Sequence, residues 1–118
     1  MALVKKKRIS VIMSNNAVKE IHVKMLEEGY SLREKSKWIS EAIEDFLTLT
    51  EYQSLVEMAE LVSDLTKNET IYITSDIEDQ LDEAIIKVRR QYPALEGVKS
   101  LIVRASIIRR LVLLGKRQ

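Results

Sequence analysis

The chain has 118 residues, 46% hydrophobic and 31% charged, a composition that fits one globular domain with a modest core and excludes a disordered segment. It contains no cysteine and one histidine, His22, which excludes disulfides, a Cys nucleophile and a histidine-based metal cluster and implies a reducing, cytoplasmic setting. Net charge is only +1 but unevenly spread: residues 1–48 and 69–118 each carry 9 Lys/Arg against 7 Asp/Glu, and residues 49–68 carry 1 against 4.

Two mildly basic units, 1–48 and 68–118, therefore flank an acidic connector, 49–67. The opening "MALVKKKRIS" has no apolar region behind its basic run, so it does not read as a signal peptide. Lys5, Lys6 and Lys7 form a short basic arm. Ile9, Val11 and Met13 then alternate with Arg8, Ser10 and Ile12, the period of a β-strand with one buried face. Ser14, Asn15 and Asn16 can cap a helix that carries Ala17, Val18, Ile21 and Met25 on one face and stops near Gly29. His22 falls on an exposed position of that helix. A second helix begins in "KSKWISEAI" (35–43), or one turn earlier, where Ser31 and Glu34 make a capping box. In the connector Tyr52, Leu55, Val56, Ala59, Val62 and Leu65 keep a helical stripe. The stripe fits a second helix running past Leu49 or a separate helix from near Glu51.

The second unit repeats the first. In "ETIYITSD" (69–76) Ile71 and Ile73 alternate with Thr70, Tyr72 and Thr74, and Ser75 with Glu78 has the form of a capping box. Ile77, Leu81, Ala84, Ile85 and Val88 mark the next helix, which should end before Pro93. "KSLIVRASI" (99–107) answers "KSKWISEAI", with Ile102 aligned to Trp38, both read as core. The stretch "LIVRASIIRRLVLLG" (101–115) is too short and too rich in Arg to span a bilayer. It is apolar almost all round, so it must be buried on several sides. Arg109, Arg110, Lys116 and Arg117 suit a helix C-terminus or a solvated end. The carboxylates Asp76, Glu78, Asp79, Asp82 and Glu83 read as a solvated helix face, and no Gly-rich phosphate loop is present. An enzyme, a metal or cofactor site, a small-molecule substrate and a membrane surface are not expected.

Strand–helix–helix, twice, resembles the ribbon-helix-helix family of DNA-binding proteins (Arc, MetJ and CopG type). The likeness rests on "KRISVIM", the caps "SNN" and "TSD", and the Ser that opens each second helix. It extends over residues 7–48 and 68–114. The resemblance implies a mainly α fold with one two-stranded antiparallel β-ribbon. Here it would be a tandem ribbon-helix-helix, β-α-α twice, folded as an intramolecular pseudodimer. It further implies double-stranded DNA as partner, self-association on DNA, and a role in transcription regulation or in conjugation on a bacterial mobile element. With one ribbon face in the core, base readout would fall to Arg8, Ser10, Ile12, Asn68, Thr70 and Tyr72, side chains able to pair with base edges or touch a thymine methyl. Phosphates would meet Lys7 of the arm, and Lys35, Ser36, Lys37, Lys99 and Ser100 at helix N-termini. The two strands differ, so an asymmetric DNA site is expected. The competing expectation is a protein-interaction module, an antitoxin-like or assembly adaptor without direct DNA readout.

Overall fold

The first strand finds its partner some sixty residues further along the same chain. The computed structural model describes residues 6–59 and 65–116. Lys5 of the arm, Val62 of the connector stripe and Arg117 lie outside the described residues. The order is β1 (Lys6–Ser14), α1 (Asn15–Glu27), a 3-10 turn (Leu32–Glu34), α2 (Lys35–Leu47), α3 (Tyr52–Met58), β2 (Leu65–Thr74), α4 (Ser75–Gln91) and α5 (Val98–Lys116). The chain is mainly helical, with β1 and β2 paired as a two-stranded antiparallel sheet.

The register sets Ile9 opposite Ile71 and Ser10 opposite Thr70. It runs from Lys6–Thr74 to Ser14–Leu65, past an irregularity between Met13 and Ser14. β2 thus begins at Leu65 and not at Glu69, and Leu65 leaves the connector's helical stripe. The backbone groups of Met13 and Ser14 need partners, and the residues just before Glu69 supply them. Lys6 and Lys7 likewise belong to β1 and are not a free arm.

Alternation does what the pattern predicts. Ile9, Val11, Met13, Ile71 and Ile73 turn inward and are buried. Beneath them α5 is the central helix, burying Leu101, Ile102, Val103 and Ile107 against Ile39, Ile43 and Phe46 of α2 and Leu81 and Val88 of α4. Trp38 and Ile102 are both fully enclosed. α2 stops at Leu47, so the connector carries its own helix, α3, pinned by Tyr52 and Val56. The Tyr52 ring lies 5.8 Å from that of Phe46 in a tilted pair. No helix among the described residues is long and apolar enough to cross a membrane.

Both first helices are capped by the last residue of the strand before them. Ser14 Oγ accepts the Ala17 N–H at 3.0 Å, and Thr74 Oγ1 accepts the Ile77 N–H at 3.3 Å. Ser75 is therefore the first residue of α4 and not its cap. The extended Thr74 is the residue whose hydroxyl lies over the first turn. Ser31 and Glu34 do form a box, in which the Glu34 carboxylate accepts the Ser31 N–H at 2.9 Å, but it closes the 3-10 turn that leads into α2. α1 gives way just before Gly29, whose φ of +87° a side chain rarely adopts.

Candidate nucleic-acid interface

The outward face of the ribbon carries Arg8, Ser10 and Ile12 from β1 and Asn68, Thr70 and Tyr72 from β2. All six are exposed, Ile12 to 41% and Tyr72 to 50%. Across the strands Arg8 faces Tyr72, Ser10 faces Thr70 and Ile12 faces Asn68. Arg8 to Ile12 spans about 13 Å at the rise of an extended strand.

Two helix side chains finish the ribbon's edges. The Tyr72 N–H donates to Ser36 Oγ at 2.9 Å, and Arg104 Nη1 donates to the Ile12 carbonyl at 3.2 Å. Backbone groups that point outward in this way belong to the narrow, non-hydrogen-bonded pairs of an antiparallel ladder. The three facing pairs of the outer surface are therefore the closely spaced ones, about 4.5 Å between Cα atoms.

The basic residues divide into engaged and available groups. Lys7 pairs with Glu78 of α4; that hydrogen bond and the charge of Glu78 raise the Lys7 pKa above its ordinary value. Lys35 pairs with Glu69, which lies on the inner ribbon face beside Ile71. Neither is the free cation expected from its place beside the ribbon, because each has a carboxylate facing it. Ser36 Oγ accepts the Tyr72 N–H of β2 and keeps its own O–H to donate. Lys37 is more open: its side chain is 62% exposed, 3.8 Å from Glu34, and its ammonium lies 5.8 Å from the Tyr30 ring centre. Lys99 and Ser100 lie half-buried in the first turn of α5. His22 is half-buried, not fully exposed as its helix position implied.

Two arginines in the apolar 101–115 stretch hold the arrangement together, and residue spacing did not single them out. Arg110 crosses from α5 to the α1–α2 corner. Its guanidinium donates to the Glu28 carboxylate at 2.7 Å and to the Trp38 carbonyl at 2.6 Å, and stacks 4.4 Å from the Trp38 ring centre. Trp38 Nε1 donates to the same Glu28 at 3.1 Å, and the Tyr30 hydroxyl donates to Glu41. Burial works against the Arg110 charge, but hydrogen bonds with Tyr30 and Glu28 outweigh it and raise its pKa. Arg110 is thus an internal tie and not a solvated helix end. Arg104 has the simpler setting: burial lowers its pKa, and its Nε has no hydrogen-bond partner among the described residues. The available signal was an Arg interrupting an otherwise apolar run, which must either leave the core or bring a partner into it.

No protein-family model, no curated protein and no solved structure matches this chain.

Proposed function

We propose that the chain is a sequence-specific double-stranded DNA-binding protein, a tandem ribbon-helix-helix that lays an intramolecular β-ribbon into the major groove. The observation that carries this reading is the exposed outer face of a two-stranded ribbon to which no further strand is added among the described residues. Such a ribbon fits the major groove of B-DNA, and Arg8, Ser10, Asn68 and Thr70 present the donors and acceptors that base edges recognise. Ile12 and Tyr72 suit thymine methyl groups. The span of Arg8 to Ile12 corresponds to about four base pairs at 3.4 Å each.

The tandem reading draws support from the register. Ser14 and Thr74 are equivalent caps sixty positions apart, and Ser10 and Thr70, also sixty apart, face each other. A local two-fold axis through that pair maps Arg8 onto Asn68 and Ile12 onto Tyr72. On this reading the axis would also exchange the helices; α2 touches β2 through Ser36 and α5 touches β1 through Arg104. Lys37, with Lys99, Ser36 and Ser100 at the helix starts, would hold phosphates and fix the ribbon's orientation. A regulator of transcription or an accessory factor in conjugation is the role that the family resemblance suggests.

The test is selection of bound duplexes from a random library, followed by a salt series on the winner. A short, asymmetric consensus is expected, with affinity falling steeply with salt. No enrichment over the input library would sink the proposal.

A further inference from the structure

The two edges of the ribbon differ in charge. Beside β2, Ser36, Lys37 and Ser40 of α2 share an open cleft with the carboxylates Glu41 and Glu44. In α5 the phrase that begins at Ser36 begins again at Ser100, and Arg104 stands where Ser40 does, four residues on. Arg104 borders a hollow of about 80 Å³ with Met13, Ala17, Ile107 and Ile108. No carboxylate lies within ion-pair distance of it among the described residues. Its Nε is enclosed and has no hydrogen-bond partner among them, while Nη1 donates to the Ile12 carbonyl at 3.2 Å in a bond at the surface. The stem is thus packed and the charged tip emerges at the β1 edge. Of the five N–H donors of a guanidinium, that bond engages one. Burial acts on this cation unopposed and lowers its pKa, whereas the equally enclosed Arg110 has Glu28 to offset it.

We propose that Arg104 anchors a DNA backbone phosphate on the strand that flanks β1. The inference rests on the reading of the ribbon as a major-groove element, since a ribbon in that groove turns one edge toward each sugar-phosphate strand. Nη1 keeps the Ile12 carbonyl, and Nη2 is left for a phosphate oxygen, a charge-assisted bond. Lys37 shares the β2-side cleft with Tyr72, whereas Arg104 holds Ile12. Tyr72 faces Arg8 at one end of the outer surface, and Ile12 faces Asn68 at the other. The phosphates held by Arg104 and by Lys37 therefore belong to opposite DNA strands, about four base pairs apart. On the β1 side the anchor is a guanidinium with no acid beside it among the described residues. On the β2 side it is a lysine 3.8 Å from Glu34. The unequal grip fixes the ribbon's direction on an asymmetric site through the backbone as well as through the bases.

A methylphosphonate scan of the selected duplex, in which each phosphate is made neutral in turn, tests it on the full chain. The parent should lose about ten- to a hundredfold in affinity at one phosphate on the strand opposite the one that Lys37→Ala ceases to sense. Arg104→Gln should be indifferent to that phosphate, weaken every duplex alike and lower the salt slope by about one. Arg104→Lys should keep the slope, because the charge remains. Melting curves of each variant establish that it is folded. A folded Arg104→Gln that keeps the full slope and responds to every neutral phosphate as the parent does overturns the assignment. So does a variant whose loss is confined to its melting temperature, which would make Arg104 an internal tie only. A parent scan with no sensitive phosphate on that opposite strand overturns it without any variant. Failure of the ribbon reading shows separately, as a parent that enriches no duplex at all, and the assignment then falls with it.

Discussion

Ser36 of α2 and Tyr72 of β2 are joined by a 2.9 Å hydrogen bond in which the backbone N–H of Tyr72 donates to the serine hydroxyl. A helix start thereby covers part of an edge that no further strand protects among the described residues. Ser36→Ala returns that N–H to water and should lower stability by about 0.5–1.5 kcal/mol, seen as a lower urea midpoint at unchanged slope. Ser36→Thr keeps the hydroxyl and should recover most of the loss.

Lys35 and Lys37 stand two residues apart and should behave differently. Lys35→Ala leaves the nearly enclosed Glu69 without its partner, so the expected loss is about 1–3 kcal/mol of stability before any ligand is added. Lys37→Ala should leave the melting temperature in place. On the proposed reading it weakens all duplexes alike and lowers the salt slope by about one, measurable by anisotropy titrations at several salt concentrations.

Thr70 and Ser10 face each other at the centre of the ribbon's outer surface. Replacing either with Ala should cost about 1–3 kcal/mol against the selected duplex and little against unrelated sequence. Stability should stay within about 0.5 kcal/mol of the parent, because both side chains are exposed. Equal losses on every sequence would remove base readout from these two positions.

Arg110 should be the most sensitive cation in the chain. Its side chain and that of Glu28 are 15% and 21% exposed, so Arg110→Met strands a largely enclosed carboxylate and removes the stack on Trp38. A loss of about 3 kcal/mol in denaturant unfolding is expected. Arg110→Lys should rescue little, because a point charge cannot keep the forked contact and the stack together.

Glu34 provides a pH signature. The hydrogen bond from the Ser31 backbone holds its carboxyl below the ordinary value of 4.5. Its contribution to stability is therefore complete above that value and is lost as pH falls through the lowered one. Glu34→Gln keeps a cap-competent amide without the charge. Melts of the two proteins should differ at neutral pH and converge once the pH has fallen through the lowered Glu34 value.

Much of this was legible because the two periods carry it. Alternation exposed Arg8, Ser10 and Ile12 on one side and sent Ile9, Val11 and Met13 to the other; helical spacing found Trp38 and Ile102 in the core. The strand pairing came from a repeated pattern, but the early start of β2 at Leu65 did not, since the residues before Glu69 have no alternation to betray a strand. The engagement of Lys7 and Lys35 was hidden for another reason. Their carboxylates lie some 71 and 34 positions away, and no local rule reaches that far. Arg110 reads locally as a helix end because its partners, Glu28 and Trp38, sit on the opposite half of the chain.

The long reach of the ribbon also has a consequence for biosynthesis. Its facing pairs are separated by 51 residues at Ser14–Leu65 and by 68 at Lys6–Thr74. A ribosome adding about 5–20 residues each second makes β1 several seconds before β2 exists. During that interval β1 has a hydrophobic face and two open edges, the features of a strand prone to wrong pairing. Arg8 and the lysines beside it would then serve as gatekeepers, keeping nascent chains apart until the second strand arrives.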